Sequence, residues 1–362
     1  RRLEEAGVIR GLSADERFAA LTAFITNLPK PAIPGTVALN LPAIVAGDTT
    51  IRDIHIRAQP VEEGWNIGSM AATLPGRTRF EGDGLLATGE APSFTGKIIL
   101  AVGQPSGFAA WVARDVDEVI RRLPAAGFSA DVVLAKERQR FENLELILGD
   151  ARFRGAIDRE SPEGTRPSLM LKLDGDRLDF EGMKAFTSLF ISDAGQNRLN
   201  DHNVDLEIAA GPVSALGLTA GHLDTALRLR EGTLEIDRFT LTGLAEASIS
   251  ATGTLSNLGS DPRGKLDAAV IAVDLAPLVA LLRERFPNDP LVSALDRNAS
   301  AYPGLLSDSR LDIIASTEDG LSASVRGTLG GTALDFSVLG NGSPADLANA
   351  ELTANFSARN EA

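Results

Sequence analysis

The feature that most constrains the fold is a period-two alternation of apolar and polar residues through most of the chain. Leu144, Leu146 and Leu148 fall on one side of an extended segment, and Glu145 falls on the other. Successive side chains of a β-strand point to opposite faces, so the alternation indicates strands with one apolar and one solvated face. It recurs at Leu169, Leu171 and Leu173, at Leu223, Leu227 and Leu229, at Leu311, Ile313 and Ala315, and at Leu334, Phe336 and Val338.

Turn signals separate these segments, for example Glu231-Gly232, Gly330-Gly331 and Asn341-Gly342. Turns at such short intervals favour antiparallel meanders over βαβ units. The 35 glycines and the low aromatic content of 5% suit short strands joined by tight turns. We therefore expect a mainly β fold: an elongated, curved or twisted antiparallel sheet that forms a groove or a half-open sandwich, with a few short helices.

Helical patterns are few. Apolar residues at helical spacing, some behind capping residues, predict helices over residues 13–28, 107–123, 181–190 and 275–286.

The same order of elements precedes each of the last three helices: strand, glycine turn, strand, proline loop and strand. The loops contain Pro92, Pro162 and Pro262. Such order predicts divergent β-repeats that stack on one another. The alternative is one irregular β-sandwich. The predicted organisation is a helical, Pro-rich lead-in at 1–50, repeats with terminal helices at 51–123, 124–190 and 191–290, and a partial fourth repeat at 291–362.

The composition argues against several classes of function and site. The chain has 49 acidic and 35 basic residues and a net charge of −14, whereas nucleic-acid binding needs a basic surface. The absence of cysteine removes disulfides, zinc–thiolate sites and thiol nucleophiles. The sequence contains no run of about 20 apolar residues, which is the length that a membrane-spanning helix needs.

Catalytic and metal-binding patterns are not recognisable. His55, His202 and His222 are scattered rather than set at metal-ligand spacing. Gly82-Asp83-Gly84 resembles a dinucleotide fingerprint only faintly and lacks the helix that should follow it. Asp174, Asp176 and Asp179 are interpreted as solvated turn residues. We expect no enzyme activity, no cofactor and no metal; a hydrolase would need a convergent cluster of titratable groups.

Four segments resemble the AsmA family of Gram-negative envelope proteins: LPGRTRFEG at 74–82, FTGKIIL at 94–100, LELILGDARFRG at 144–155 and LDGDRLDF at 173–180. The resemblance extends from about Ile51 to the end of the chain. It implies periplasmic β-repeats that form a long curved sheet with an apolar groove, a single N-terminal inner-membrane helix, a link to outer-membrane assembly, and similarity to bridge-like lipid transfer proteins.

That membrane helix is not in this sequence, which begins at Arg1, so we expect an internal or C-terminal fragment that is tethered to the inner membrane through a segment absent from the chain.

These observations predict a non-enzymatic periplasmic envelope protein of outer-membrane assembly and lipid homeostasis, which binds or conducts phospholipid acyl chains along an apolar β-groove. The alternative is a structural or adhesion-type β-repeat protein without a lipid ligand, whose apolar faces pack against the short helices as an ordinary core. The candidate lipid-binding residues are Ile98, Leu100, Leu144, Leu146, Leu148, Leu169, Leu171, Leu173, Leu227, Leu229, Ile249, Leu311 and Ile313.

Overall fold

The computed structural model describes residues 35–46, 49–112, 118–183, 202–215, 217–257, 263–288, 290–302, 304–318, 320–340 and 351–358. The chain divides into two compact units, unit 1 with residues Arg1–His202 and unit 2 with residues Asn203–Ala362. Each unit is built around an antiparallel sheet, and each is described by itself.

In unit 1, strands β1 to β9 lie side by side in the order of the sequence, and each pairs antiparallel with the next. Tight turns of two or three residues join β2 to β3, β3 to β4, β6 to β7 and β7 to β8, as the turn signals predict, whereas longer segments join β4 to β5, β5 to β6 and β8 to β9. The strands are β1 Val37–Ala46, β2 Thr49–Val61, β3 Gly64–Leu74, β4 Thr78–Ala87, β5 Ser93–Val102, β6 Ala126–Ala135, β7 Arg138–Leu148, β8 Ala151–Glu160 and β9 Ser168–Gly175, followed by a two-residue strand β10, Leu178–Asp179.

A β-bulge in β7 changes the spacing of its apolar residues. Asn143 has a φ of 49° and shifts the register against β6 and β8. The extra residue places Phe141 and Leu144, three positions apart, on the same face of the sheet. Without the bulge, the two side chains would point to opposite faces.

Unit 2 repeats this arrangement. β11 pairs with β14, and β14 to β21 follow in sequence order with antiparallel pairing; β12 and β13 form a separate short hairpin. The strands are β11 Asn203–Ala210, β12 Val213–Ala215, β13 Leu218–Ala220, β14 His222–Arg230, β15 Thr233–Leu244, β16 Ala247–Ser256, β17 Arg263–Asp274, β18 Ser307–Ser316, β19 Leu321–Leu329, β20 Thr332–Gly340 and β21 Glu351–Ala358.

Short helices occupy one connection in each sheet. In unit 1, α1 (Pro105–Val112) and α2 (Glu118–Arg122) lie between β5 and β6, and Ala109 packs against Ile120 between them. In unit 2, α3 (Ala276–Arg285) and α4 (Pro290–Ala301) lie between β17 and β18.

Helix α3 covers one end of the unit 2 sheet. Its Leu278 and Val279 are buried against Ala247, Ala272 and Leu329 of three strands. In unit 1, α1 abuts the turn between β3 and β4, because a Cβ on Gly76 would lie 2.4 Å from the backbone nitrogen of Phe108. The helices therefore cover the ends of strands.

The expected mainly β fold is confirmed: each unit contains a long, twisted antiparallel sheet that does not close on itself within its described strands, with few and short helices. The helix predicted at 275–286 is present as α3. The one predicted at 107–123 corresponds to α1 and α2, with 113–117 outside the described residues. The helix at 13–28 and most of the one at 181–190 also lie outside the described residues.

Two features differ from the sequence-based organisation. The 1–50 segment, expected to be helical and Pro-rich, contains strand β1, whose alternating Val37, Leu39 and Leu41 precede Pro42. Helix α4 was not expected. The division between residues 202 and 203 does not coincide with any predicted repeat boundary, and those boundaries stay a prediction.

Candidate apolar binding face

One face of the unit 1 sheet is apolar from strand to strand. In β5, Phe94, Ile98 and Val102 are buried, and their cross-strand partners in β4 and β6 share their face. We call this surface the apolar face of unit 1. Its larger side chains include Leu39, Leu41, Ile54, Ile56, Trp65, Ile67, Met70, Leu74, Phe80, Leu86, Phe94, Ile98, Leu100, Val102, Phe128, Val132, Leu134, Phe141, Leu144, Leu146, Leu148, Phe153, Ile157, Leu169, Leu171 and Leu173.

Charge is almost excluded from this face. Among the described positions of β3 to β9, Arg159 is the only charged residue that the register places there. The opposite face, which we call the polar face of unit 1, carries the remaining charged side chains of these strands. A sheet with faces so different keeps one of them out of water.

The sheet of unit 2 is segregated in the same way. The only charged residue of its described strands on the apolar face is Asp274, at the last position of β17, and its carboxylate accepts a 2.9 Å hydrogen bond from the backbone nitrogen of Ala276 at the start of α3. The larger side chains of the apolar face of unit 2 are Val204, Leu206, Ile208, Leu223, Leu227, Leu229, Leu234, Ile236, Phe239, Leu241, Ile249, Leu255, Leu266, Val270, Leu311, Ile313, Val325, Leu329, Leu334, Phe336 and Val338.

Ion pairs between neighbouring strands cover the polar face of unit 1. Arg138 donates from Nη2 to Oδ2 of Asp158 at 2.6 Å, and Arg140 lies 3.7 Å from the same carboxylate. The hydrogen bond and the charge of Asp158 raise the pKa of Arg138 above its ordinary value. Arg154 lies 3.5 Å from Glu145 farther along the strands. The arginine side chains of these pairs are exposed, whereas the side chain of Asp158 is only 11% exposed. Exposed ion pairs contribute little stability each, but these hold charges on the polar face of the sheet.

The polar face of unit 2 has a comparable cluster. Arg228 on β14 donates from Nε to Asp237 on β15 at 2.6 Å and lies 3.0 Å from Glu235. The hydrogen bond from Arg228 lowers the pKa of Asp237 from its ordinary value. Arg238 and Asp224 form another cross-strand pair at 3.0 Å.

Glycines on the apolar faces let neighbouring strands approach closely. Gly84 and Gly96 are cross-strand partners, and a Cβ on Gly96 would lie 2.1 Å from the carbonyl oxygen of Asp83. A Cβ on Gly253 of unit 2 would lie 2.3 Å from the carbonyl oxygen of Lys265. A Cβ on the apolar side would therefore collide with the adjacent strand, so only glycine fits at these positions. Glycine kinks of this kind introduce curvature into sheets.

A shallow depression crosses four neighbouring strands of unit 2, β15 to β18. Its volume is about 390 Å³, within the range of small-molecule pockets, roughly 300–1,000 Å³. On each strand its centre is a residue of the apolar face, and these four, Phe239, Ala251, Ala268 and Ile313, form one cross-strand row. The residues on either side of these four, among them Arg238, Asp267 and Asp312, also line the depression and belong to the polar face by register.

The structure places every candidate lipid-binding residue on the apolar face of its unit. Those that are buried are Ile98, Leu144, Leu146, Leu148 and Leu173. Those that remain half-buried are Leu100, Leu169, Leu171, Leu227, Leu229, Ile249, Leu311 and Ile313. The buried ones form the packed part of the sheet, and the half-buried ones are those that a ligand would reach first. Their contact with lipid stays a prediction.

Several apolar-face residues were missed, above all Phe94, Phe128, Phe141 and Phe153. Phe128 and Phe141 contact each other edge to face, with ring centroids 6.0 Å apart. For Phe94, Phe128 and Phe153 the signal is in the sequence, since each continues the alternation of its strand, whereas the bulge at Asn143 puts Phe141 out of phase with Leu144. Arg159 interrupts that alternation, and only the cross-strand register shows that it lies on the apolar side.

The remaining polar candidates are dispersed. His55 is exposed and lies 2.9 Å from the side-chain oxygen of Asn40 through Nδ1, and Gly82 and Gly84 lie within strand β4. Asp176 accepts a hydrogen bond from the backbone nitrogen of Arg152 at a turn. Within the described ranges, no group of three or more His, Asp or Glu side chains is arranged to hold a metal ion. None of the helices in the described part of the chain is long and apolar enough to span a membrane.

Comparison with protein-family models, curated proteins and solved structures finds no match to this chain.

Proposed function

We propose that this chain is a non-enzymatic, AsmA-like protein of the Gram-negative cell envelope that binds phospholipid acyl chains along its apolar sheet faces. In this proposal it acts in the periplasm in outer-membrane biogenesis and lipid homeostasis, and the full-length protein is tethered to the inner membrane. Its partners are membrane phospholipids.

The observation that carries the proposal is the separation of charge between the two faces of each sheet. In the described strands β3 to β9 of unit 1, the apolar face contains a single charged residue, Arg159, while the cross-strand ion pairs of Arg138, Arg140 and Arg154 lie on the other side. An exposed groove for acyl chains needs this pattern, because an isolated charge in contact with hydrocarbon is costly.

Acyl chains also match the chemistry of the surface. They require a continuous apolar strip rather than specific polar contacts, and each buried methylene contributes about 0.8 kcal/mol. The half-buried side chains Leu100, Leu171 and Ile313 retain surface that such a chain would cover. Glycines such as Gly96 and Gly253, where neighbouring strands approach closely, are typical of curved sheets, and a curved apolar face would suit an acyl chain.

The competing function is a structural or adhesion role without a ligand. Helix α3 supports it for one end of unit 2, where Leu278 and Val279 pack on Ala247 and Ala272 as an ordinary core. At the strand ends away from α3, Leu229 and Leu255 are not among the described residues of the cluster around Leu278 and Val279. The competing function therefore explains the apolar residues near α3 but not those at the other end of the sheet.

The two functions differ in whether the purified protein carries lipid. The chain would be produced in a Gram-negative host, purified without detergent, extracted with organic solvent and assayed for lipid by mass spectrometry. Lipid binding predicts phospholipid in reproducible, near-stoichiometric amounts after gel filtration. A folded, monodisperse protein that is free of lipid, and that takes up none from phospholipid vesicles, would contradict the proposal and favour the structural role.

A further inference from the structure

We propose that Arg159 recognises the anionic head group of an amphiphile whose hydrocarbon chain lies on the apolar face of unit 1. This inference rests on the proposed lipid binding. It adds the direction in which the lipid lies on the sheet and a preference for a phosphate head group. The ligand class is a single- or double-chain lipid with a phosphate on its head group.

Arg159 lies at one end of the apolar face. Its cross-strand partners are Gln139 on β7 and Leu169 on β9, and the register continues this row through Leu134 and Phe94. The helices α1 and α2 follow the opposite ends of the strands, after Val102 and before Ala126. Arg159 thus lies at the edge of the apolar face away from the helices, where a polar head group meets water.

The guanidinium of Arg159 has no anionic partner among the described residues. Its one hydrogen bond within the described chain runs from Nη1 to the neutral Oε1 of Gln139 at 2.9 Å, and no described carboxylate forms an ion pair with it. A guanidinium has five N–H donors in a fixed fork that matches phosphate and carboxylate oxygens. The side chain is half-buried, so leaving it without a counter-charge has a desolvation cost that a bound anion would offset.

Three other arginines of β7 and β8 form ion pairs with carboxylates. Arg138, Arg140 and Arg154, on the polar face of the same two strands, each lie within 4 Å of a carboxylate. An acidic partner for a cation is therefore common on β7 and β8 but not on the apolar side. Arg159 differs from these three arginines in its face and in having no ion pair with a described carboxylate.

Three buried polar atoms without a partner in the described chain lie at this edge of unit 1, and Thr78 Oγ1 is a fourth at the helix end. Trp65 Nε1, Thr88 Oγ1 and Ser161 Oγ are buried without a hydrogen-bond partner in the described chain. Trp65 belongs to the row that contains Phe94, while Thr88 and Ser161 directly follow β4 and β8. Buried polar groups normally have partners, so this edge retains hydrogen-bonding capacity for a polar head group.

The test uses two amphiphiles that share one acyl chain. Oleoyl-lysophosphatidate carries a phosphate monoester, whereas mono-oleoylglycerol has the same chain and glycerol without it; glycerol 3-phosphate supplies the head group alone. Binding of each to the full chain below its micellar concentration would be measured by titration calorimetry. The variants are Arg159→Gln and the control Arg154→Gln, which removes one positive charge from the opposite face of the same strand.

The wild-type chain and Arg154→Gln should bind the phosphorylated lipid about tenfold more tightly than the neutral one, which corresponds to ~1.4 kcal/mol. Arg159→Gln should bind both with nearly the affinity of the neutral lipid, and circular dichroism should show the same melting temperature as the wild type. Glycerol 3-phosphate should bind at least a hundredfold more weakly than the lysophospholipid.

Three outcomes overturn the inference. If Arg159→Gln keeps the preference for phosphate, another group recognises the head group, although lipid binding itself stands. If glycerol 3-phosphate binds as tightly as the lysophospholipid, Arg159 is a site for free anions. If neither amphiphile binds to the wild-type chain, the proposed function fails together with this inference.

Discussion

Phe153 on β8 is the cross-strand partner of Leu146 on β7, and both side chains are buried on the apolar face of unit 1. The next residue along β8, Arg154, points to the polar face and pairs there with Glu145. Adjacent positions of one strand therefore meet opposite environments.

The first prediction concerns stability. Phe153 is 2% exposed, so Phe153→Ala removes a buried ring and should lower the free energy of unfolding by about 3–5 kcal/mol. Arg154→Ala, its neighbour, should change it by less than about 1 kcal/mol. Urea denaturation followed by circular dichroism measures both. Similar losses for the two variants would show that β8 does not have one buried and one solvated face.

The second prediction concerns lipid uptake. Leu171→Asp introduces a carboxylate on the half-buried part of the apolar face, and we expect phospholipid uptake from vesicles to fall at least severalfold because the charge lies against hydrocarbon. Met170→Asp, one residue earlier on β9, adds the same charge on the polar face, where Met170 is exposed. It should leave uptake unchanged. Equal loss in both variants would indicate a general charge effect and contradict the assignment of the face.

The third prediction concerns curvature. Gly96→Ala would place a methyl group 2.1 Å from a carbonyl oxygen of β4, and strain of this kind costs roughly 1–3 kcal/mol. At Gly68 the same change meets its nearest atom at 3.9 Å and should be tolerated. Thermal unfolding of the two variants separates the effects. A Gly96→Ala protein as stable as Gly68→Ala would show that close approach of the strands at Gly96 is not required.

Much of the strand architecture was predictable because alternation depends only on the two-residue period of a strand. That period placed Leu144, Leu146 and Leu148 on one face from sequence alone. It could not place Phe141 with them, because the bulge at Asn143 shifts the phase by one residue. Local sequence does not specify such a shift, which depends on pairing with two neighbouring strands.

The features that depend on distant contacts were the ones missed. Strand β1 was obscured by Pro42, which an edge strand tolerates because one side of its backbone needs no ladder partner. Helix α4 follows α3 closely, and its Ala299 packs at the edge of the cluster around Leu278. The position of Arg159 followed only from the register of β7, β8 and β9.

The fourth prediction concerns pH. The hydrogen bond from Arg228 lowers the pKa of Asp237 below its ordinary value of 3.8. The pair therefore stabilises the fold fully above pH 3.8, and this contribution is lost as the pH falls through the lowered pKa. Asp237→Asn should lower the melting temperature slightly at pH 7 and progressively less as the carboxylate of the wild type is protonated. A difference that does not depend on pH would contradict a role for the charged pair.

The most direct measurement of the central claim asks which face of the sheet touches lipid. The photoreactive residue p-benzoylphenylalanine would replace Leu100, half-buried on the apolar face, or Ile99, the adjacent exposed residue on the polar face. After loading from phospholipid vesicles and irradiation, intact-protein mass spectrometry detects attached phospholipid. We expect adducts at position 100 and essentially none at position 99. Equal labelling at both positions, or labelling at 99 alone, would contradict lipid binding on the apolar face.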